Sequence, residues 1–173
     1  VDATMEPSIP LHELLSLQEV AKDFYLGRTP DYEWGRVYGG QVVAQGLAAA
    51  TATVDSTHRL HSVHAYFVLG GSPKDMLEGK LKTDDVDRLR DGRSFSTRRV
   101  VARQSAGAIL NLDASFQRDE PDLDISETGI DADLPAPESL PTLDWSGCGE
   151  VREIPRTPGE ARSRLWIRAK GDL

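Results

Sequence analysis

A chain of 173 residues is long enough to bury a core, and its net charge of −8 and pI near 5.0 argue against nucleic acid or anionic membranes as partners. No apolar run approaches the ~20 residues that span a bilayer, and one cysteine excludes an internal disulfide or a multi-cysteine metal site. We therefore expect a cytoplasmic globular domain with no membrane partner and no nucleic-acid partner.

The first regular pattern lies in residues 10–25, where apolar side chains recur at roughly helical spacing and predict a helix. The side chains that carry this spacing are Leu11, Leu14, Leu15, Val20 and Ala21. Glycine, proline and aspartate interrupt residues 25–40. Residues 41–54 are then apolar on nearly every side, which predicts a long helix that is buried on most of its circumference.

Alternation with a period of two over residues 60–69 predicts a β-strand. Apolar side chains occupy one face, and the opposite face carries Ser62, His64 and Tyr66. Residues 76–89 are expected to hold another strand. Residues 93–117 predict a hairpin, whose turn is the short glycine-containing sequence SAGA.

Composition changes after the hairpin, because residues 118–160 hold six of the ten prolines and many acidic side chains. We expect residues 119–160 to form an irregular linker. A strand is expected to begin within residues 161–173 without a partner in the chain. The whole order predicts an α+β fold, an antiparallel sheet wrapped around one long central helix.

Gly39 and Gly40 stand directly before the long helix. Glycine permits close backbone approach and positive φ, which suits a helix entry. The free N–H groups at such a helix start bind anions or a carbonyl oxygen, whereas a glycine pair before a helix is more often only a turn. Both interpretations stay open.

His64 shares its strand face with Ser62 and Tyr66, and it is either a general base or a hydrogen-bonded structural histidine. His61 lies three residues earlier, so the two rings face opposite sides of a strand and do not form a metal pair. We expect no metal site. Cys148 lies in the linker and is assigned no role.

The densest polar stretch is DRLRDGRSFSTRRV, residues 87–100. Arg93, Arg98 and Arg99 either contact phosphates by charge-assisted hydrogen bonds or lie on a solvated strand edge with ordinary salt bridges. Ser94 lies in the same turn and is a further candidate for substrate binding.

Four segments, in the order RVYGGQVVAQGLAAA, RLHSVHAYFVLGG, DRLRDGRSFSTRRVVARQ and LNLDASFQ, resemble the N-terminal half of the acyl-CoA thioesterase II family, which has a double-hotdog fold. The resemblance covers residues 10–118, and LWIRAKG at 165–171 resembles the segment that opens the second half. It implies a hotdog domain over residues 1–118, a linker over 119–160 and the start of a second, truncated hotdog at 161–173.

The resemblance also implies hydrolysis of acyl-CoA to free fatty acid and CoA, without a metal or a covalent cofactor. In the family an Asp, a Ser/Thr and a Gln orient the attacking water, and all three lie in the second hotdog, beyond Leu173. Gln41 stands roughly where the second hotdog places its Asp, but an amide is not a carboxylate base. Leu69 and Gly70 replace the Arg-Pro that family members usually carry.

Three functions are therefore weighed. The first is an acyl-CoA thioesterase of which this chain is the N-terminal half. The second is a non-catalytic hotdog subunit that binds acyl-CoA or completes an oligomer, and the third is a hotdog hydratase or dehydratase built on His64. The expected partner is a second hotdog domain or a second copy of the chain, paired through the sheet edge. The candidate substrate-binding residues are Gly39, Gly40, Gln41, His64, Tyr66, Arg93 and Ser94.

Overall fold

The structure of the protein is a computed structural model. It describes residues 9–30, 32, 34–75, 82–121, 129–130, 133–145, 149–159 and 161–169. The chain divides into two compact units. One unit spans Leu14–Pro121, and the other comprises Val1–Glu13 together with Asp122–Leu173.

The unit Leu14–Pro121 is built on an antiparallel six-stranded sheet in the order β1-β2-β4-β5-β6-β3. Its strands are β1 (Gln18–Ala21), β2 (Phe24–Gly27), β3 (His58–Phe67), β4 (Lys82–Asp91), β5 (Phe95–Gln104) and β6 (Gly107–Arg118). Strand β3 and the β5–β6 hairpin confirm the strand predictions. Strand β4 confirms the strand expected within residues 76–89, of which 76–81 lie outside the described residues.

Helix α2 (Gly39–Ala52) lies against this sheet and confirms the predicted long helix. Ala49 and Ala50 are fully buried against the apolar side chains of β5 and β6, such as Val100 and Leu112. The expectation of burial on most of the circumference is wrong for the face that carries Leu47, which is only partly buried. A single sheet covers one side of a helix, so the opposite side stays half-exposed. Among the described residues, no helix has the length and apolarity that a bilayer crossing requires.

The helix predicted over residues 10–25 is wrong beyond its first turn. Helix α1 (Leu11–Leu15) is short, and the β1–β2 hairpin follows it. Asp23 adopts a φ of 63° in the hairpin turn, a left-handed conformation that breaks a helix and suits a tight turn. The aromatic pair Phe24–Tyr25 then favours a strand, because aromatic side chains pack well on a pleated sheet.

The second unit contains a three-stranded antiparallel sheet in the order β7-β8-β9. Its strands are β7 (Leu143–Trp145), β8 (Gly149–Glu153) and β9 (Leu165–Ala169), and a 3-10 helix (Pro137–Ser139) precedes them. The expectation of an irregular segment is wrong for β7 and β8, and the strand expected to lack a partner, β9, pairs with β8.

Polar contacts organise this small sheet. Glu150 lies between two arginines, accepting hydrogen bonds from Arg152 at 3.1 Å and from the Nε of Arg168 at 3.0 Å. These guanidinium groups, Arg168 first, hold the pKa of Glu150 below its usual value. Cys148 lies outside the described residues. The division into a first domain, a linker and a truncated second domain stays a prediction.

Candidate functional site

The start of helix α2 borders an apolar groove with a cavity volume of about 260 Å³. Phe67, Val68 and Leu69, which leave the end of β3, form one wall, and Gly39 lies at the helix start. Tyr38, the residue before the helix, provides no side-chain cap for the helix N-terminus. The groove therefore places apolar side chains beside the positive end of a helix dipole.

Gly39 and Gly40 allow aromatic side chains to approach the helix backbone closely, and neither glycine has a positive φ. The only positive-φ glycines among the described residues are Gly35, Gly107 and Gly159, so that part of the expectation for Gly39 and Gly40 is wrong. A Cβ on Gly39 would lie 3.0 Å from the ring of Phe67, and one on Gly40 would lie 2.5 Å from the ring of Tyr38. The glycines leave room for two aromatic rings at the helix start.

Gln41 is buried, and its amide is satisfied by the chain itself. Its oxygen accepts hydrogen bonds from the hydroxyls of Tyr32 at 2.7 Å and Thr29 at 3.0 Å. Its nitrogen donates to the carbonyl oxygen of Arg28 at 2.9 Å. These bonds tie the loop before the helix to the first helical turn, which is a structural role. Substrate binding by Gln41 stays a prediction.

Gln45 completes this network and was not singled out from the sequence. Its nitrogen donates to the carbonyl oxygens of Arg28 at 2.7 Å and Leu14 at 2.9 Å. The side chain is fully buried. Two glutamines four residues apart on an otherwise apolar helix lie on the same face, and that spacing was the available signal.

His64 and Tyr66 lie next to each other on the outer face of the sheet, with ring centroids 4.6 Å apart. Across the strands His64 is opposite Asp113, whose carboxylate accepts a hydrogen bond from Arg99 at 2.9 Å. Both rings are exposed. They lie on the opposite face from Phe67, because alternate residues of a strand point to opposite sides. Neither ring therefore faces the groove.

Arg93 and Ser94 lie in the β4–β5 turn, at the C-terminal end of helix α2. A helix of 14 residues is about 20 Å long, so these two residues and Gly39 lie at opposite ends of the helix. The structure thus places the predicted residues in three regions, the helix start, the outer face and the far turn.

Both alternatives predicted for Arg98, a phosphate contact and a solvated strand edge, are wrong, because its side chain is only 1% exposed. Its guanidinium donates to the Thr53 hydroxyl at 2.7 Å and to the Thr53 carbonyl oxygen at 2.9 Å, and it also bonds Asp91. It therefore caps the C-terminus of α2 from within the core. Arg99, on the other face of β5, forms the exposed salt bridge to Asp113.

Among the described residues, strand β3 forms one edge of the sheet and pairs only with β6. Val63 and Phe67 lie on the same face of the sheet as the core residues of β6, because Val63 is opposite Ala114 and Phe67 is opposite Leu110. Val63 is nevertheless 43% exposed and Phe67 62% exposed. A long edge strand with exposed apolar side chains invites pairing with another strand.

Across the described part of the chain, no three His, Cys, Asp or Glu side chains come together as a metal site requires. The predicted residues of the three regions above carry an amide, hydroxyls, an imidazole and a guanidinium group. Their chemistry is hydrogen bonding and anion contact.

A family model described as the acyl-CoA thioesterase N-terminal domain matches residues 29–117. Acyl-coenzyme A thioesterase 8 of Mus musculus is 37% identical over 118 residues, which cover 66% of this chain and 34% of that protein. Acyl-CoA thioesterase 2 of Haemophilus influenzae is 38% identical over 107 residues, which cover 62% of this chain and 36% of that protein. The chain thus spans about one third of the length of these relatives.

Solved structures share the fold. An acyl-CoA thioesterase II from Mycobacterium marinum is similar with a TM-score of 0.73 and 32% identity, over 94% of this chain and 59% of that chain. A protein with a hotdog fold from Alicyclobacillus acidocaldarius has a TM-score of 0.75 at 16% identity, over 91% of this chain and 61% of that one. The predicted α+β hotdog fold is confirmed.

Proposed function

Because the chain belongs to the acyl-CoA thioesterase family, we propose that residues 1–118 form the first hotdog half of an enzyme that hydrolyses fatty acyl-CoA to free fatty acid and CoA. The family model matches residues 29–117 of this half. The family match over these residues is the observation that carries the proposal. The apolar groove beside the start of α2 supports it, since an acyl chain requires an apolar wall. The cytoplasmic location that composition predicts belongs to the same proposal.

The chemical step is assigned to a second hotdog. By the family resemblance, an Asp, a Ser/Thr and a Gln there orient a water that attacks the thioester carbon. A C–O bond forms, the C–S bond breaks, and a proton from the water passes to the CoA thiolate. Gln41 is the positional analogue in this half, but its amide is hydrogen-bonded within the chain and does not accept a proton near neutral pH.

This half then supplies scaffold, partner interface and part of the acyl-CoA site. The open β3 edge supports a partner interface there, with a second hotdog or a second copy of the chain as the partner. Gly39 and Phe67 lie at the same end of the helix as the groove, so a partner on β3 would close the groove from the side.

A non-catalytic hotdog subunit is the second candidate. The observation that favours it is the use of Gln41 and Gln45 as structural ties, since the first turn of the described helix α2 holds no acidic residue. Such a subunit would bind acyl-CoA or complete an oligomer without contributing to turnover.

Hydrolysis assays test the proposal. A thiol reagent would follow CoA release from a medium-chain acyl-CoA by residues 1–173, and the expected rate is far below ~1 s⁻¹, the low end of typical enzymes. The part of Haemophilus influenzae acyl-CoA thioesterase 2 that this chain does not match would then be added. A mixture faster than the sum of its parts supports the catalytic half. A rate that does not rise supports the non-catalytic subunit.

A further inference from the structure

A recess opens at the C-terminal end of α2, with a cavity volume of about 590 Å³. It is lined by the end of that helix, the start of β3, the β4–β5 turn and the end of β6. We infer that this recess binds a phosphate monoester group through Arg93 and Arg118. The ligand carrying that group is CoA if the proposed function is right, because CoA has a phosphate monoester on its ribose.

Arg93 and Arg118 are exposed arginines that line the recess, and within the described residues their side chains make neither an ion pair nor a hydrogen bond. Most other arginines of this acidic protein have an acidic partner, namely Arg59, Arg88, Arg98, Arg99, Arg152, Arg156 and Arg168. Two unpaired guanidinium groups on one recess match an anion, and their forked donors suit phosphate oxygens.

The strand register brings the cationic residues to one rim. The backbone N–H of Arg118 donates to the carbonyl oxygen of Ser94 at 2.9 Å, one residue from Arg93. Arg118 is also opposite His58 across β6 and β3. The Nε2 of His58 is buried and has no hydrogen-bond partner among the described residues. A buried polar atom without a partner is uncommon and requires an explanation, of which a bound water or ion is one.

The negative groups around the recess are already engaged. Arg98 caps the carbonyl end of α2 through Thr53 and also bonds Asp91, which lowers the pKa of that carboxyl. The helix C-terminus, a site that ordinarily repels anions, is thereby compensated. Asp55 accepts hydrogen bonds from the backbone and hydroxyl of Thr57, at 2.9 Å and 2.7 Å. The Asp55 carboxylate keeps its negative charge and interacts electrostatically with Arg118. An anion in the recess meets Arg93 and Arg118 as guanidinium groups that form no ion pair among the described residues.

Calorimetric titrations of residues 1–173 with CoA, dephospho-CoA and inorganic phosphate test the inference. CoA is expected to bind about tenfold more tightly than dephospho-CoA, as one or two charge-assisted hydrogen bonds would give. Arg93→Gln and Arg118→Gln should each remove most of that difference. Arg103→Gln, which removes the same charge at an exposed position outside the recess, should retain it.

The arms separate the two sources of phosphate. One outcome is that inorganic phosphate binds the wild-type chain but neither Arg93→Gln nor Arg118→Gln, while CoA and dephospho-CoA bind equally well. That outcome supports the site with free phosphate as its ligand. Binding that is equal in those variants and in Arg103→Gln overturns the inference. The hydrolysis assay is independent of these titrations. A phosphate site without thioesterase turnover in the mixture rejects the proposed function alone, and turnover without a phosphate site rejects the inference alone.

Discussion

Three buried polar side chains, Arg98, Gln41 and Gln45, hold the two ends of helix α2. The glutamines bind the chain segment that leads into the helix, and Arg98 binds the carbonyl end. A buried charge is stabilising only where its hydrogen bonds are complete, and the guanidinium of Arg98 reaches Thr53, Arg90 and Asp91.

Replacing Arg98 is expected to destabilise the fold strongly. Arg98→Leu removes the donors from the carbonyl oxygens of Thr53 and Arg90 and leaves them without those partners, so the free energy of unfolding should fall by about 3 kcal/mol. Urea unfolding followed by circular dichroism measures the change. Arg99→Leu is the matched control, since Arg99 is the next residue on the same strand and forms an exposed salt bridge. Equal losses in both variants would show that Arg98 is not a structural cap.

For single residues, the sequence indicated which side chains were candidates but not whether each one is buried or which groups it contacts. The run STRRVV contains two adjacent arginines, and alternation along a strand predicts that one points inward and the other outward. Which one is buried depends on strand register, which the residues themselves do not determine. Gln41 was singled out as a candidate, whereas its partners Thr29 and Tyr32 lie in a loop without periodicity.

Among the elements, helix α2 and strands β3, β5 and β6 follow the predicted periods, because one face of each packs on a common core. Two segments of the chain were mispredicted. The apolar spacing at residues 10–25 coincides with a helical period, but the turn at Asp23 divides the segment into a hairpin. The proline-rich segment after the large sheet contains β7 and β8, which are too short to show a period.

Burial of helix α2 is tested by an aspartate scan. Leu47 is only partly buried, whereas Ala50 is 0% exposed and is therefore the sharper position for an aspartate. Ala50→Asp should abolish cooperative unfolding, because a buried unpaired charge costs several kcal/mol. Ala52→Asp, exposed on the same helix, should leave a cooperative transition. A folded Ala50→Asp protein would contradict the packing of this face.

For the whole molecule, the two edges of the large sheet differ. Strand β1 is four residues long with an irregular register, which limits pairing with another strand. Strand β3 is ten residues long and exposes Val63, Tyr66 and Phe67. The chain spans about one third of its relatives' length, and under the proposed function a second hotdog or a second copy of the chain would pair with β3.

Sedimentation velocity of residues 1–173 at micromolar concentration tests this pairing most directly. The wild-type chain should sediment as a dimer or a larger species, because its β3 edge has no other partner among the described residues. Val63→Lys places a charge on that edge and should give a monomer, whereas Val20→Lys, at a similarly exposed valine on β1, should sediment as the wild type does. A strictly monomeric wild-type chain, or a dimer that survives Val63→Lys, would contradict the assignment of β3 as the partner interface.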